Sequence, residues 1–219
     1  MDLFNNPVSF LFSSAALVIA ITIHEFAHAY AAEHLGDPTP RLMGRLTLNP
    51  LKHLDPLGTL LLIFARFGWG KPVVYDPFNL RNPKQDSAII SLAGPVSNIL
   101  LALLSSIILR IISGFSPESP SSMLTLTFSV VIISFFQTLI YYNVMLAVFN
   151  LVPVHPLDGF TVVKGLLPED QSREWAQLER YGMFFLLVLI FFPGNPLQTL
   201  ISPMINFFLN LFLPQSGIV

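Results

Sequence analysis

Three runs of this chain are long and apolar enough to cross a lipid bilayer, and nothing else restricts its fold as strongly. They are Val8 to Ala32, uncharged except at Glu25; Ala88 to Ile112, broken by Gly94-Pro95; and Met123 to Phe149. About 20 apolar helical residues span the hydrocarbon core. There each backbone polar group must be satisfied within its own segment, so such runs are read as helices. The composition agrees. Eleven basic and 13 acidic residues make up only 11% of the chain, against roughly 25% in a soluble domain. Hydrophobic residues are 53%, and the mean hydropathy is +0.66. This excludes a soluble enzyme and a disordered chain. A net charge of −2 provides no basic field for phosphates, so nucleic acid is excluded as a partner. With no cysteine, disulfides, thiolate metal sites and a catalytic thiol are excluded too.

Two further apolar segments, Met183 to Phe192 and Leu197 to Leu213, flank Pro193-Gly194-Asn195-Pro196. The expected fold is an all-α polytopic membrane protein with about five transmembrane helices. It forms one domain over 1–219, with a core over about 8–165 and a C-terminal helical hairpin over about 175–213. Leu57 to Phe67 is too short to span, carries Arg66, and reads as a re-entrant or interfacial piece. The N-terminus lacks a positive n-region, so the first apolar segment is expected to stay in place. The absence of an Arg/Ser-rich leader points to a prokaryotic cell membrane.

The basic residues are unevenly placed. Seven of the eleven, Arg41, Arg45, Lys52, Arg66, Lys71, Arg81 and Lys84, fall in the loop from Gly36 to Ser87. The loop from Ser113 to Ser122 has none, and three more lie between Lys164 and Arg180. The positive-inside rule puts the long loop in the cytoplasm and the N-terminus outside. Within that loop, Arg45-Leu46-Thr47-Leu48-Asn49 alternates polar and apolar, the period of a strand. Pro72-Val73-Val74-Tyr75 is its candidate partner in a short membrane-associated β-hairpin.

The chemistry is concentrated in the first run. His24 and His28, at i and i+4, share one helical face about a turn apart. Both imidazoles can then reach one metal ion, with Glu25 beside them to act on a water. At this chain's composition the pattern arises by accident in roughly a few chains per thousand. Ionisable groups inside a membrane are costly and usually functional. A zinc site wants a third protein ligand, for which His34, His53, His155, Asp158, Asp55 and Glu33 are candidates. His34 lies off the His24–His28 face, and His53 and Asp55 suit turn or capping roles. Asp158 follows Asn150-Leu151-Val152-Pro153-Val154-His155-Pro156-Leu157, whose prolines forbid continued helix. Irregular backbone at that depth is tolerated only in a cavity or against water. By spacing alone, Asp158 is either a metal ligand or the N-cap of the helix from Gly159 to Leu166.

These residues resemble the site-2 protease family of intramembrane zinc metalloproteases. The likeness rests on His24-Glu25-Phe26-Ala27-His28, on the Asn150 to Gly159 segment, on Gly94-Pro95-Val96-Ser97-Asn98, and on Gly44 to Pro56, as in compact members without accessory domains. It covers roughly residues 15 to 165. It implies that His24, His28 and Asp158 hold one Zn2+ and that Glu25 is the catalytic base. His155 is then a bystander at a variable position. Phe160 departs from the Gly or Ser often found there. Asn150 and Asn98 are candidates for binding substrate or the oxyanion, against interhelical hydrogen bonding as the plainer role. The implied substrate is a transmembrane segment of another protein, unwound and added as a strand near Leu46–Leu48. The site is expected toward the cytoplasmic side. The competing reading is a metal-ion transporter or metal-binding membrane protein. Its polar path is missing from Val8 to Ile23, which offers only small hydroxyls. A non-catalytic scaffold is the third reading, and the intact Glu25 counts against it.

Overall fold

The computed structural model describes residues 6–58, 70–115 and 123–214. Three long helices form its body: α1 (Pro7–Leu35), α3 (Pro83–Phe115) and α4 (Met123–Asn150). Between the first two lie the single turn α2 (Thr39–Leu42) and the 3-10 turns Pro50–Lys52 and Pro77–Asn79. After α4 come α5 (Asp158–Leu166), α6 (Glu169–Ala176), α7 (Glu179–Phe191) and α8 (Pro196–Phe212).

The starts and stops follow local chemistry. Asn6 caps α1, its Oδ1 accepting from Ser9 N at 3.0 Å, with Pro7 at the first helical position. Gly36 ends the helix at φ 112°, a left-handed cap that a Cβ would strain. α3 packs against α1, α4 and α5 and so lies at the centre of the bundle. Ala16, Ala20, Ala29 and Ala32 of α1 are fully buried, and small residues let membrane helices approach closely. On α3, Leu100, Leu103, Leu104, Ile107 and Ile111 stay exposed as an apolar face suited to lipid.

Two expectations change. Among the described residues, three helices, α1, α3 and α4, are long and apolar enough to cross a membrane. α7 and α8 meet at an 80° bend and together amount to at most one more span or a re-entrant pair, so the described residues hold three or four candidate spans rather than five. The reason is length: 13 residues of α7 rise only about 20 Å, short of a core of about 30 Å. The Pro-Gly-Asn-Pro break supplies the bend, with Asn195 at φ 48°.

The expected β-hairpin does not form among the described residues, where the pairing is one isolated antiparallel bridge, Leu54 to Gly70. Backbone donors of both segments are spent elsewhere. Arg45 N donates to Pro40 O, Thr47 N to Arg45 O, and Lys71 N to His53 O. Pro72 has no N–H, and Val73 N donates to the Glu25 carboxylate. Most of the expected re-entrant piece, Leu57 to Phe67, lies outside the described residues, as does most of the Ser113 to Ser122 loop.

Candidate metal centre

α1 carries His24 and His28 one turn apart, and both are buried. The first residue of α5, Asp158, closes on them across the bundle. His24 Nε2 lies 3.2 Å from Asp158 Oδ2, His28 Nε2 lies 3.4 Å from Asp158 Oδ1, and the two Nε2 atoms are 3.0 Å apart. Asp158 is not a cap. The N-cap position is Leu157, and no side chain bonds the helix terminus there. The carboxylate turns to the histidines.

The second ring nitrogens decide what the Nε2 atoms present. His28 Nδ1 is 2.7 Å from Ile90 O, a carbonyl that can only accept, so Nδ1 carries hydrogen. His24 Nδ1 is 2.7 Å from Asn98 Oδ1. The Asn98 amide is fixed in that sense because its Nδ2 donates to Ala20 O at 3.0 Å and to Asn143 Oδ1 at 2.8 Å. In its neutral form each imidazole then aims its Nε2 lone pair at the same point, which two carboxylate oxygens also face. Four lone-pair-bearing atoms converging in a buried place are repulsive unless a cation sits among them.

The donor set fits zinc: two imidazole nitrogens and one carboxylate, with ring partners that lock the tautomer. The His24, His28 and Asp158 ligand atoms all lie within 4.8 Å of one another. Bonds of about 2.0–2.1 Å in a tetrahedron put donors about 3.3 Å apart, close to the separations seen. Asp158 Oδ2 is buried with no hydrogen-bond donor of its own. Gly94 on α3 keeps the space clear, since a Cβ there would come within 2.5 Å of His28 Nε2 and 2.6 Å of His24 Cε1.

Glu25 stands beside the cluster. Its Oε2 accepts from Val73 N at 2.9 Å and lies 3.7 Å from an Arg45 guanidinium nitrogen. The remaining candidates are elsewhere. His34 Nδ1 is 2.9 Å from Tyr30 O and its ring stacks on Tyr30. His53 Nε2 contacts Thr47 O at 2.7 Å, and Asp55 Oδ1 accepts from Gly58 N at 2.8 Å, both local turn roles. Glu33 pairs with Arg41 at 2.8 Å. His155 faces Glu179 at 3.6 Å, away from the cluster. Asn150 donates back to Leu146 O one turn earlier, at 2.9 Å.

Three participants escape a reading of the sequence. Ile90 contributes only a carbonyl, which no sequence pattern marks. Asn143 acts through Asn98, and its sequence context is one apolar helix. Arg45 stands in a run of loop cations that the charge count treats alike.

Comparison with known proteins agrees with this geometry. Residues 12–192 match the family model described as Peptidase family M50. The chain is 38% identical over 190 residues to YwhC of Bacillus subtilis (strain 168), provisionally named a zinc metalloprotease; the match covers 87% of this chain and 84% of that one. It is 32% identical over 190 residues to Rip2 of Mycolicibacterium smegmatis (strain ATCC 700084 / mc(2)155), provisionally named likewise, covering 84% of this chain and 68% of Rip2. No solved structure matches. A membrane bundle that brings His24, His28 and Asp158 together, with a glutamate between the histidines, and a match that runs through all four, place this chain in peptidase family M50, the site-2 protease family.

Proposed function

We propose that His24, His28 and Asp158 hold the zinc ion and that Glu25 is the general base of an intramembrane zinc metalloprotease. The convergence of the three donors from α1 and α5 carries this reading. Zinc, when bound, supplies Lewis-acid chemistry, polarising a carbonyl and acidifying water. The chain's own residues do the rest. Glu25 takes the proton of the attacking water on its carboxylate and delivers it to the leaving amide nitrogen. Asn98 holds His24 in the tautomer that offers Nε2. Both of its amide hydrogens are committed to Ala20 O and Asn143 Oδ1, so we assign it to positioning and not to the oxyanion. Asn150 spends one amide hydrogen on Leu146 O, and we assign its second to the substrate backbone.

The substrate of this reading is a membrane-spanning segment of another protein, cut in or beside the bilayer after local unwinding. We place the site toward the cytoplasm, since His28 lies near the end of α1 that leads into the basic loop. The relatives named above are bacterial, which favours a prokaryotic cell membrane. The family match gives the transporter reading no support.

Elemental analysis and a cleavage assay test the proposal together. Wild type should carry about one zinc per chain and cut a labelled single-span membrane protein. Asp158→Ala should lose the metal, and Glu25→Gln should keep it while losing turnover by about 100-fold or more. A Glu25→Gln protein that cleaves at the wild-type rate removes the base assignment. Zinc retained by Asp158→Ala moves the third ligand elsewhere.

A further inference from the structure

The sequence presents Arg45 as one cation among seven in a loop, yet its side chain is only 4% exposed. One guanidinium nitrogen donates to Lys52 O and another to Lys71 O, two carbonyls far apart in the chain. The second nitrogen also lies 3.7 Å from Glu25 Oε2. That same oxygen accepts from Val73 N at 2.9 Å. Lys71 N donates to His53 O at 2.8 Å, and the Leu54–Gly70 bridge lies alongside. One buried cation thus ties the 45–54 turn, the 70–73 segment and the glutamate into a single hydrogen-bonded piece.

Burying a guanidinium is costly unless a charge and several acceptors meet it. A planar fork can span two main-chain carbonyls, which an ammonium on a flexible stem cannot do with the same fixity. We propose that Arg45 is a positioning residue for the reaction, clamping the Glu25 carboxylate and the Gly70–Val73 backbone in register with the metal ligands. This rests on Glu25 being the general base. Arg45 acts through Glu25 and Val73.

The test uses the full chain in detergent, with three readouts on wild type, Arg45→Met and Arg45→Lys. They are zinc per chain, kcat and KM on a labelled single-span membrane protein, and resistance of the metal-free protein to proteinase K at residues 45–54 and 70–76. Arg45→Met should keep one zinc, lose about 100-fold in kcat with KM within about threefold, and be cut faster in those segments. Arg45→Lys should lose about tenfold, and added guanidinium ion should restore part of the Arg45→Met rate. Unchanged kcat, a defect confined to KM, or loss of zinc along with rate overturns the proposal. If Arg45→Met does not fold, unchanged kcat in Arg45→Lys overturns it. If the wild type cleaves nothing, the hydrolase reading fails by itself. The metal-free protein then decides the clamp, because equal protease resistance in wild type and variants removes it.

Discussion

A metal site made from neutral imidazoles depends on what holds their far nitrogens, and here two different kinds of partner do so. Ile90 offers a backbone carbonyl to His28, which no substitution of a side chain removes. Asn98 offers an amide oxygen to His24 and is itself oriented by Ala20 O and Asn143 Oδ1. The two histidines should therefore respond differently to mutation around them. Asn98→Ala removes the His24 partner, and zinc affinity should fall about 10–100-fold while stoichiometry at saturating zinc stays near one. Competition with a chelator measures this, and unchanged affinity would show that Asn98 only joins helices. Gly94→Ala is the harsher change, because its Cβ would come within 2.5 Å of His28 Nε2. At this scale the sequence was legible where spacing encodes geometry. His24, Glu25 and His28 are fixed by the helical repeat. Asp158 stayed ambiguous from spacing, since a cap and a ligand look alike until the third dimension brings α1 beside it.

Among the elements, the loop between α1 and α3 was the least legible. Alternation at 45–49 suggested a strand with an apolar face, yet Leu48 is 57% exposed while Arg45 is buried. Periodicity assumes that apolar residues face inward, and a buried cation answered by carbonyls and a carboxylate reverses that assumption. What holds this loop to the bundle is another buried charge, Asp37, just past the end of α1. Its carboxylate accepts from Thr39 N and Oγ1, Asp76 N and Asn79 Nδ2, at 2.6–3.1 Å. Burial pushes its pKa up, but the hydrogen bonds from Thr39, Asn79 and Asp76 outweigh this and hold it below the usual carboxylate value. A depressed folded pKa stabilises the fold above the unfolded value near 3.8, and that contribution is lost as pH falls through the folded pKa. Asp37→Asn should therefore cost about 1–3 kcal/mol at neutral pH. The gap from wild type should narrow as the pH drops below about 4. Thermal unfolding in detergent at the two pH values reads it, and a gap that widens in acid would refute the assignment.

Across the whole molecule, two of the contacts made by the helices after α5 serve different ends. At one, Phe212 of α8 enters the core of Ala102, Leu109, Ile140 and Val144, with Arg110 donating to Leu211 O at 3.0 Å. This attachment supports α3 and α4 and includes no metal ligand. At the other, Gly182 of α7 lies against the backbone of His155, so closely that a Cβ would strike the His155 Cβ and carbonyl. Trp175 of α6 stacks on Phe160 and donates to its carbonyl at 3.1 Å. His155 and Phe160 flank Asp158 in the chain, so α6 and α7 brace the turn that delivers the third ligand. The consequence separates stability from metal binding. Phe212→Ala should cost about 3–5 kcal/mol of stability through the cavity it leaves, with zinc affinity unchanged once the protein is folded. Gly182→Val should push α7 off the His155 turn and weaken zinc by about tenfold or more, with a smaller loss of thermal stability in the zinc-free protein. Zinc titration and zinc-free unfolding on both variants decide the matter. If the two variants change affinity equally, the C-terminal helices stabilise the bundle as one unit and the brace on Asp158 has no separate existence.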